Sequence, residues 1–169
     1  MPITKQTIAI IGSSSIIGTS IAKALSRDNY RLLLFDENSE EARTLADEIT
    51  STEKGADAEF LECTHEACWE ADVIFILNNE KNLNDLSEKI EDVSIQKVVV
   101  VTLLNSDSAQ ELEQIETYFP NSKVVGLYLS TSISNTIHHL SRHPKALDTL
   151  RSITASAGFQ PVQKELNTA

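Results

Sequence analysis

Apolar residues recur along this chain in two alternating rhythms. In the first they run together for a few positions: TIAII at 7–11, RLLLF at 31–35, AEFL at 58–61, DVIFIL at 72–77, KVVVV at 97–101 and KVVGLYL at 123–129. Short apolar runs bounded by polar or turn-forming residues predict strands. In the second rhythm apolar residues return every three or four positions among polar ones, which predicts amphipathic helices. Ile17, Ile21 and Leu25 lie four apart directly after the first run. A helix is expected over 39–52, with Ser39 as cap and Glu40 and Glu41 in a negative first turn. Further helices are expected over 65–69, 83–93 and 107–118, the last stopped by Pro120 and turning Leu112, Ile115 and Phe119 inward as a core stripe. After the sixth run the pattern predicts a helical turn within 132–140, a helix over 144–157 opened by Pro144, and a last extended piece at 159–163.

Runs two, four and five are continuously apolar rather than alternating. Strands covered by helices on both faces have that character, so a parallel sheet follows. Strict strand–helix alternation makes the fold class α/β, a doubly wound domain with strand order 3-2-1-4-5-6, and residues 1–169 read as a single domain. With 41% apolar but only 5% aromatic residues, the core must be largely aliphatic. The net charge of −11 argues against nucleic acid and against anionic membranes as partners. No apolar run approaches the length of a membrane span. The N-terminal MPITKQTIAII lacks the features of a secretory signal, and the two cysteines, Cys63 and Cys68, read as reduced thiols, so a cytoplasmic location is expected.

The first strand leads into GSSSIIG at 12–18 and then into a helix. A small-residue turn in that context offers backbone N–H groups and a helix N-terminus to an anion. Gly12 and Gly18 stand at the outer positions of a G-x-x-G-x-x-G spacing, with Ser15 in the middle glycine's place. Glycine allows the tight turn and the close approach of a pyrophosphate. In its absence Ser13, Ser14 and Ser15 can offer hydroxyl donors, with Ile16 and Ile17 completing the turn. The alternative is that both glycines serve only the turn and helix–strand packing. The second strand ends at Asp36, eighteen residues after Gly18, with Glu37, Glu40 and Glu41 close by and Arg43 as the nearby cation. A carboxylate there accepts hydrogen bonds from an adenosine ribose and repels a 2′-phosphate, which favours NAD(H) over NADP(H). The alternative is that Asp36 merely opens a solvated acidic loop.

Taken in order, GSSSIIG, FDENSEEARTLADEI, EADVIFIL, KVVVVTLLN, KVVGLYLSTSI and AGFQPV resemble the dinucleotide-binding (Rossmann) domain of the deazaflavin-dependent NADP oxidoreductase family. That domain is in turn similar to the one in pyrroline-5-carboxylate reductases. The resemblance covers about residues 7–163 and lies in order and spacing rather than in one motif. It implies that Gly12 to Gly18 hold the pyrophosphate, and that Asn78, Asn79 and Thr102 line the nicotinamide side. Several site positions depart from the family's pattern. Phe35-Asp36 replaces a Ser-Arg pair that holds the NADP 2′-phosphate, Leu77-Asn78-Asn79 replaces Ala-Val-Pro, Leu103-Leu104 replaces Asn-Pro, and Tyr128-Leu129-Ser130 replaces Phe-Asn-Thr. The chain after Gly158-Phe159-Gln160-Pro161-Val162 is also shorter than in the family.

Other candidates carry less. Cys63, His65 and Cys68 are potential zinc ligands at irregular spacing; Cys68 and Trp69 read instead as residues packing a short helix on the sheet. His138, His139 and His143 cluster after the sixth run, and His139 and His143 would share a face at a surface helix end. The leading functional expectation is an NAD(P)-binding oxidoreductase-like protein that transfers a hydride to or from a small molecule the sequence does not identify. The alternative is a non-catalytic nucleotide-sensing or protein-interaction module. A homodimer could supply a missing pocket wall.

Overall fold

The computed structural model describes residues 5–77, 83–104, 109–129 and 136–163. Eight strands form one sheet in the order β3-β2-β1-β4-β5-β6-β7-β8. They are β1 (Gln6–Ile11), β2 (Tyr30–Phe35), β3 (Asp57–Phe60), β4 (Val73–Ile76), β5 (Val98–Thr102), β6 (Lys123–Leu129), β7 (Thr136–Leu140) and β8 (Gln160–Gln163). The helices are α1 (Ile16–Leu25), α2 (Ser39–Thr52), α3 (Thr64–Glu70), α4 (Leu83–Ile90), α5 (Ala109–Tyr118) and α6 (Pro144–Ser156). The first six strands are all parallel and adopt the expected doubly wound order.

The continuous apolar runs are explained by the layers. Side chains alternate across a strand, and here both faces are covered. Ile8 and Ile10 point to one face, where Ile21 and Leu25 of α1, Leu45 and Ile49 of α2, and Leu147 and Leu150 of α6 pack. Ala9 and Ile11 point to the other, against Ala67 of α3, Ile90 of α4, and Leu112 and Ile115 of α5. Phe75 is the one ring among the largest fully buried side chains, and the rest are Ile and Leu, as a sequence poor in aromatics requires.

Three local expectations are corrected. The cap of α2 is Asn38, whose side chain accepts from the Glu41 amide at 3.3 Å, one residue before the Ser39 expected in that role. Trp69 does not pack a helix on the sheet: it is 66% exposed, while Cys68 beside it is fully buried. Residues 136–140, expected to be helical, form strand β7, antiparallel to β6 and parallel to β8; residues 132–135 lie outside the described part. Without β7 the apolar strand β6 would present a bare edge of unpaired backbone groups. The chain therefore folds back beside it, and the Ser141 hydroxyl, donating to the Val124 carbonyl at 2.6 Å and accepting from the His143 amide, pins the way into α6. His139 and His143 thus share no helical face. His139 is a strand residue only 1% exposed, and His143 caps α6.

Candidate functional site

The turn between β1 and α1 is held by hydrogen bonds from three sides. Gly12 has a positive φ of 83°, and the Gly12 and Ser13 amides both donate to the Phe35 carbonyl at the end of β2, at 3.0 and 3.2 Å. Helix α1 then comes so close that a Cβ on Gly18 would lie 2.2 Å from the Gly12 carbonyl oxygen. Gly18 is therefore a packing requirement, as the spacing implied. Ser15 caps α1: its hydroxyl accepts from the Gly18 amide at 3.0 Å and lies 2.7 Å from the Gly12 carbonyl as donor. A second carbonyl, that of Leu77 at the end of β4, lies 3.4 Å from the same hydroxyl.

The serines are consequently not the trio of free donors that their side chains suggest. Ser13 is wholly buried, and its hydroxyl donates to the Phe35 carbonyl at 3.3 Å. Ser15 is committed to the turn. The Ser14 hydroxyl is buried and has no partner among the described residues. Sequence reasoning could see that small polar residues occupy the turn. It could not see the Phe35 and Leu77 carbonyls, which come from strands far along the chain and take up these hydroxyl protons.

Two donors remain. The amides of Ile16 and Ile17, in the first turn of α1, make no hydrogen bond among the described residues. They carry the partial positive charge of a helix N-terminus. The Ile16 side chain beside them is 92% exposed, so nothing in the described part covers this end of the helix.

Asp36 lies next to this turn. One carboxylate oxygen accepts from the Ser14 amide at 3.0 Å and the other from the Asn38 amide at 2.9 Å. An ionised carboxylate has about four acceptor positions, so two remain for incoming hydroxyls. The Ser14 and Asn38 bonds fix its orientation. Between α1 and α2 an open groove of about 460 Å³ is lined by Ser14, Thr19, Asn38, Glu40, Glu41 and Glu48, among others, and none of its lining residues is Lys or Arg. Arg43 faces elsewhere, with its guanidinium 5.2 Å from the Phe60 ring and 3.4 Å from Glu62.

On the other side of the crest, Thr102 ends β5, buried and opposite Leu127 of β6. Asn78 and Asn79 lie outside the described residues. Cys63 is exposed, whereas Cys68 is buried and burial pushes its thiol up to about 12, which makes it unreactive. Among the described residues no group of three or more metal-ligating side chains converges, and no helix is long and apolar enough to cross a membrane. His139 sits on the α6 side of the sheet with its Nε2 buried and without a partner among the described residues. Burial, helped by the Arg151 and His138 charges, pushes its pKa down to about 4, so the ring is neutral at neutral pH.

Residues 7–106 match the family model described as NADP oxidoreductase, coenzyme F420-dependent. No curated protein matches the chain by sequence. Solved structures share the fold. A pyrroline-5-carboxylate reductase from Coxiella burnetii superposes with a TM-score of 0.73 at 12% identity, over 96% of this chain and 60% of that one. An imine reductase from Myxococcus stipitatus, a variant in complex with NAD+, gives 0.72 at 11% identity, over 95% of this chain and 55% of the enzyme. A hypothetical protein from Sinorhizobium meliloti gives 0.66 at 15% identity, over 95% of this chain and 84% of that protein. The chain thus spans little more than half the length of the two reductases.

Proposed function

The chain belongs to the family of coenzyme F420-dependent NADP oxidoreductases, and from that membership we propose that it binds a dinucleotide across the carboxyl ends of β1 and β4, in the NAD(H) form, and takes part in hydride transfer. The turn fits such a ligand. Gly12 and Gly18 bring strand and helix close together, and the Ile16 and Ile17 amides, open among the described residues, support reception of the pyrophosphate there. Asp36 is placed to accept the adenosine ribose hydroxyls. When bound, the nicotinamide ring supplies or accepts the hydride. The protein's own part is to orient the dinucleotide and to exclude the 2′-phosphorylated form.

The observation that carries the NAD(H) preference is the Asp36 carboxylate, fixed by the Ser14 and Asn38 amides beside a groove lined by Glu40 and Glu41, and by Glu48, which Lys23 pairs at 2.9 Å. A 2′-phosphate placed there would meet the like charges of Asp36, Glu40 and Glu41, and charge repulsion of this kind is a common basis of discrimination. Titration calorimetry with NAD+, NADH, NADP+ and NADPH tests the reading. Saturable binding of the NAD pair at least tenfold tighter than the NADP pair is the expected result; equal affinities, or no binding, contradict it.

A second reading has an observation of its own. The Ser15 side chain stands where the middle glycine would let phosphate approach, and its hydroxyl is fully engaged by the turn. A domain that binds the nucleotide shallowly and reports its presence to a partner, without turnover, is consistent with that. NADH oxidation against a panel of imines and carbonyl compounds separates the two readings.

A further inference from the structure

The register of the sheet places one more pair of polar side chains at the crest. Ile11, Ile76, Val101, Gly126 and Leu140 stand side by side across β1, β4, β5, β6 and β7. Gly12 begins the phosphate turn one step beyond that row. Tyr128 and His138 lie two steps beyond it and directly opposite one another. They are therefore level with the mouth of the turn, Tyr128 three strand spacings or about 14 Å along the crest from β1 and His138 four, or about 19 Å. A dinucleotide that starts at β2 and crosses β1 and β4 runs in their direction.

The two rings touch, with centroids 6.0 Å apart and planes tilted by 46°. Both side chains are half-buried. Alternation puts them on the face of the sheet shared with Gly126. There Leu103 packs so closely that a Cβ on Gly126 would lie 2.6 Å from its side chain. Among the described residues neither the Tyr128 hydroxyl nor the His138 ring makes a hydrogen bond. His138 Nδ1 is shut away from water without a partner, whereas Nε2 is not. Orphaned buried N–H groups are rarer than orphaned acceptors. The neutral ring therefore keeps its proton on Nε2, the nitrogen that can still meet a ligand.

The geometry points to Tyr128 and His138 as the pair that binds and protonates the heteroatom of a small C=N or C=O substrate at the β6–β7 end of the crest. The inference rests on the hydride-transfer reading above. In the step it describes, the C=X carbon gains a hydride from reduced nicotinamide, which is thereby oxidised, and the C=X π pair moves to X. His138 breaks its Nε2–H bond to give X that proton and recovers one from water. The product is H–C–X–H. Tyr128 holds X through its hydroxyl and packs against the imidazole. An imidazole N–H donor facing a substrate heteroatom is an established catalytic device.

The test uses the full chain, labelled with ¹⁵N in its histidine rings and saturated with NAD+, which fills the cofactor site without reducing a probe. Occupancy is measured first, by calorimetry on the same sample. 1-Pyrroline serves as the C=N probe and cyclohexanone as the C=O probe. His138 signals are assigned by their loss in His138→Gln. The expected result is a saturable shift of His138 Nε2 with at least one probe, its apparent affinity weakened about tenfold by Tyr128→Phe, a change expected to leave the fold intact. Ring nitrogens that stay unmoved by either probe in the NAD+-saturated protein overturn the assignment, as does a shift that Tyr128→Phe leaves unchanged. If NAD+ itself does not bind, the cofactor reading fails and takes this assignment with it. The occupancy measurement distinguishes that failure from the other two.

Discussion

At the β1–α1 turn the Ser13 and Ser15 hydroxyls and the Ser14 amide are all bonded within the protein, whereas at the β6–β7 end of the same crest the Tyr128 hydroxyl and the His138 ring find no partner among the described residues. The first region holds its shape through internal bonds and leaves two helix amides open to a ligand. The second leaves its polar tips without a partner among the described residues. A site that must present a fixed anion receptor benefits from the first arrangement, because ordering is complete before the ligand arrives. A site that must meet a reacting atom benefits from the second, because its donors are not already satisfied.

The strongest way to break the turn is Gly18→Ala. Its new Cβ would meet the Gly12 carbonyl oxygen at 2.2 Å, so α1 must move away from β1. A loss of about 3 kcal/mol is expected, in the range of strained overpacking, read as a shift in the urea midpoint, together with loss of dinucleotide binding. Tyr128→Phe should change stability by less than about 0.5 kcal/mol, because it removes only a hydroxyl that has no partner among the described residues.

Acid sharpens the comparison on the β7 side. His139 has a native pKa of about 4 against an ordinary value of 6.5, because burial disfavours its charged form. Between those values the unfolded chain binds the extra proton and the native protein does not. Stability should thus be unaffected by this residue above about pH 6.5, fall as pH drops from 6.5 to 4, and level off below, by about 3 kcal/mol in total. Comparing the pH dependence of chemical denaturation in wild type and His139→Leu isolates that share; parallel curves for the two proteins would show that His139 does not titrate in this way.

Smaller effects test how the turn receives a ligand. Asp36→Ala removes the ribose acceptor and the carboxylate that fixes Ser14, and should weaken NADH binding about tenfold, or ~1.4 kcal/mol, while narrowing the gap to NADPH. Ser15→Ala deletes the cap of α1 and should cost about 1 kcal/mol of stability, whereas Ser15→Gly should cost only a few tenths. If the Ser15 side chain holds phosphate back, Ser15→Gly tightens NADH binding despite the lost cap; unchanged or weaker binding shows that it does not.

Five of the six parallel strands were legible because each carries a run of aliphatic residues in the core, while the edge strand β3, DAEF and only half-buried, was read from its place between two helical patterns. That signal needs no knowledge of distant partners. Strand β7 was not, because TIHHL alternates poorly and its two histidines suggest a surface, although His139 is buried as a neutral ring. Trp69 misled in the opposite direction, a large apolar residue left at the surface while the smaller Cys68 fills the interior. At the site, the glycine spacing and Asp36 could be read locally. The commitment of Ser13 could not, since it depends on the Phe35 carbonyl of β2 brought in by the sheet, whereas Ser15 is held locally by Gly12 and Gly18 as the cap of α1. The facing of Tyr128 and His138 likewise exists only through the antiparallel register of β6 and β7.

Amide chemical-shift mapping with NADH tests the central claim most directly. The account predicts saturable shifts that are largest at Ser14, Ile16, Ile17 and Gly18, reduced in Asp36→Ala and much weaker with NADPH at equal concentration. Saturable binding whose shifts fall elsewhere on the protein, or no shift at these four amides at any NADH concentration, would contradict it.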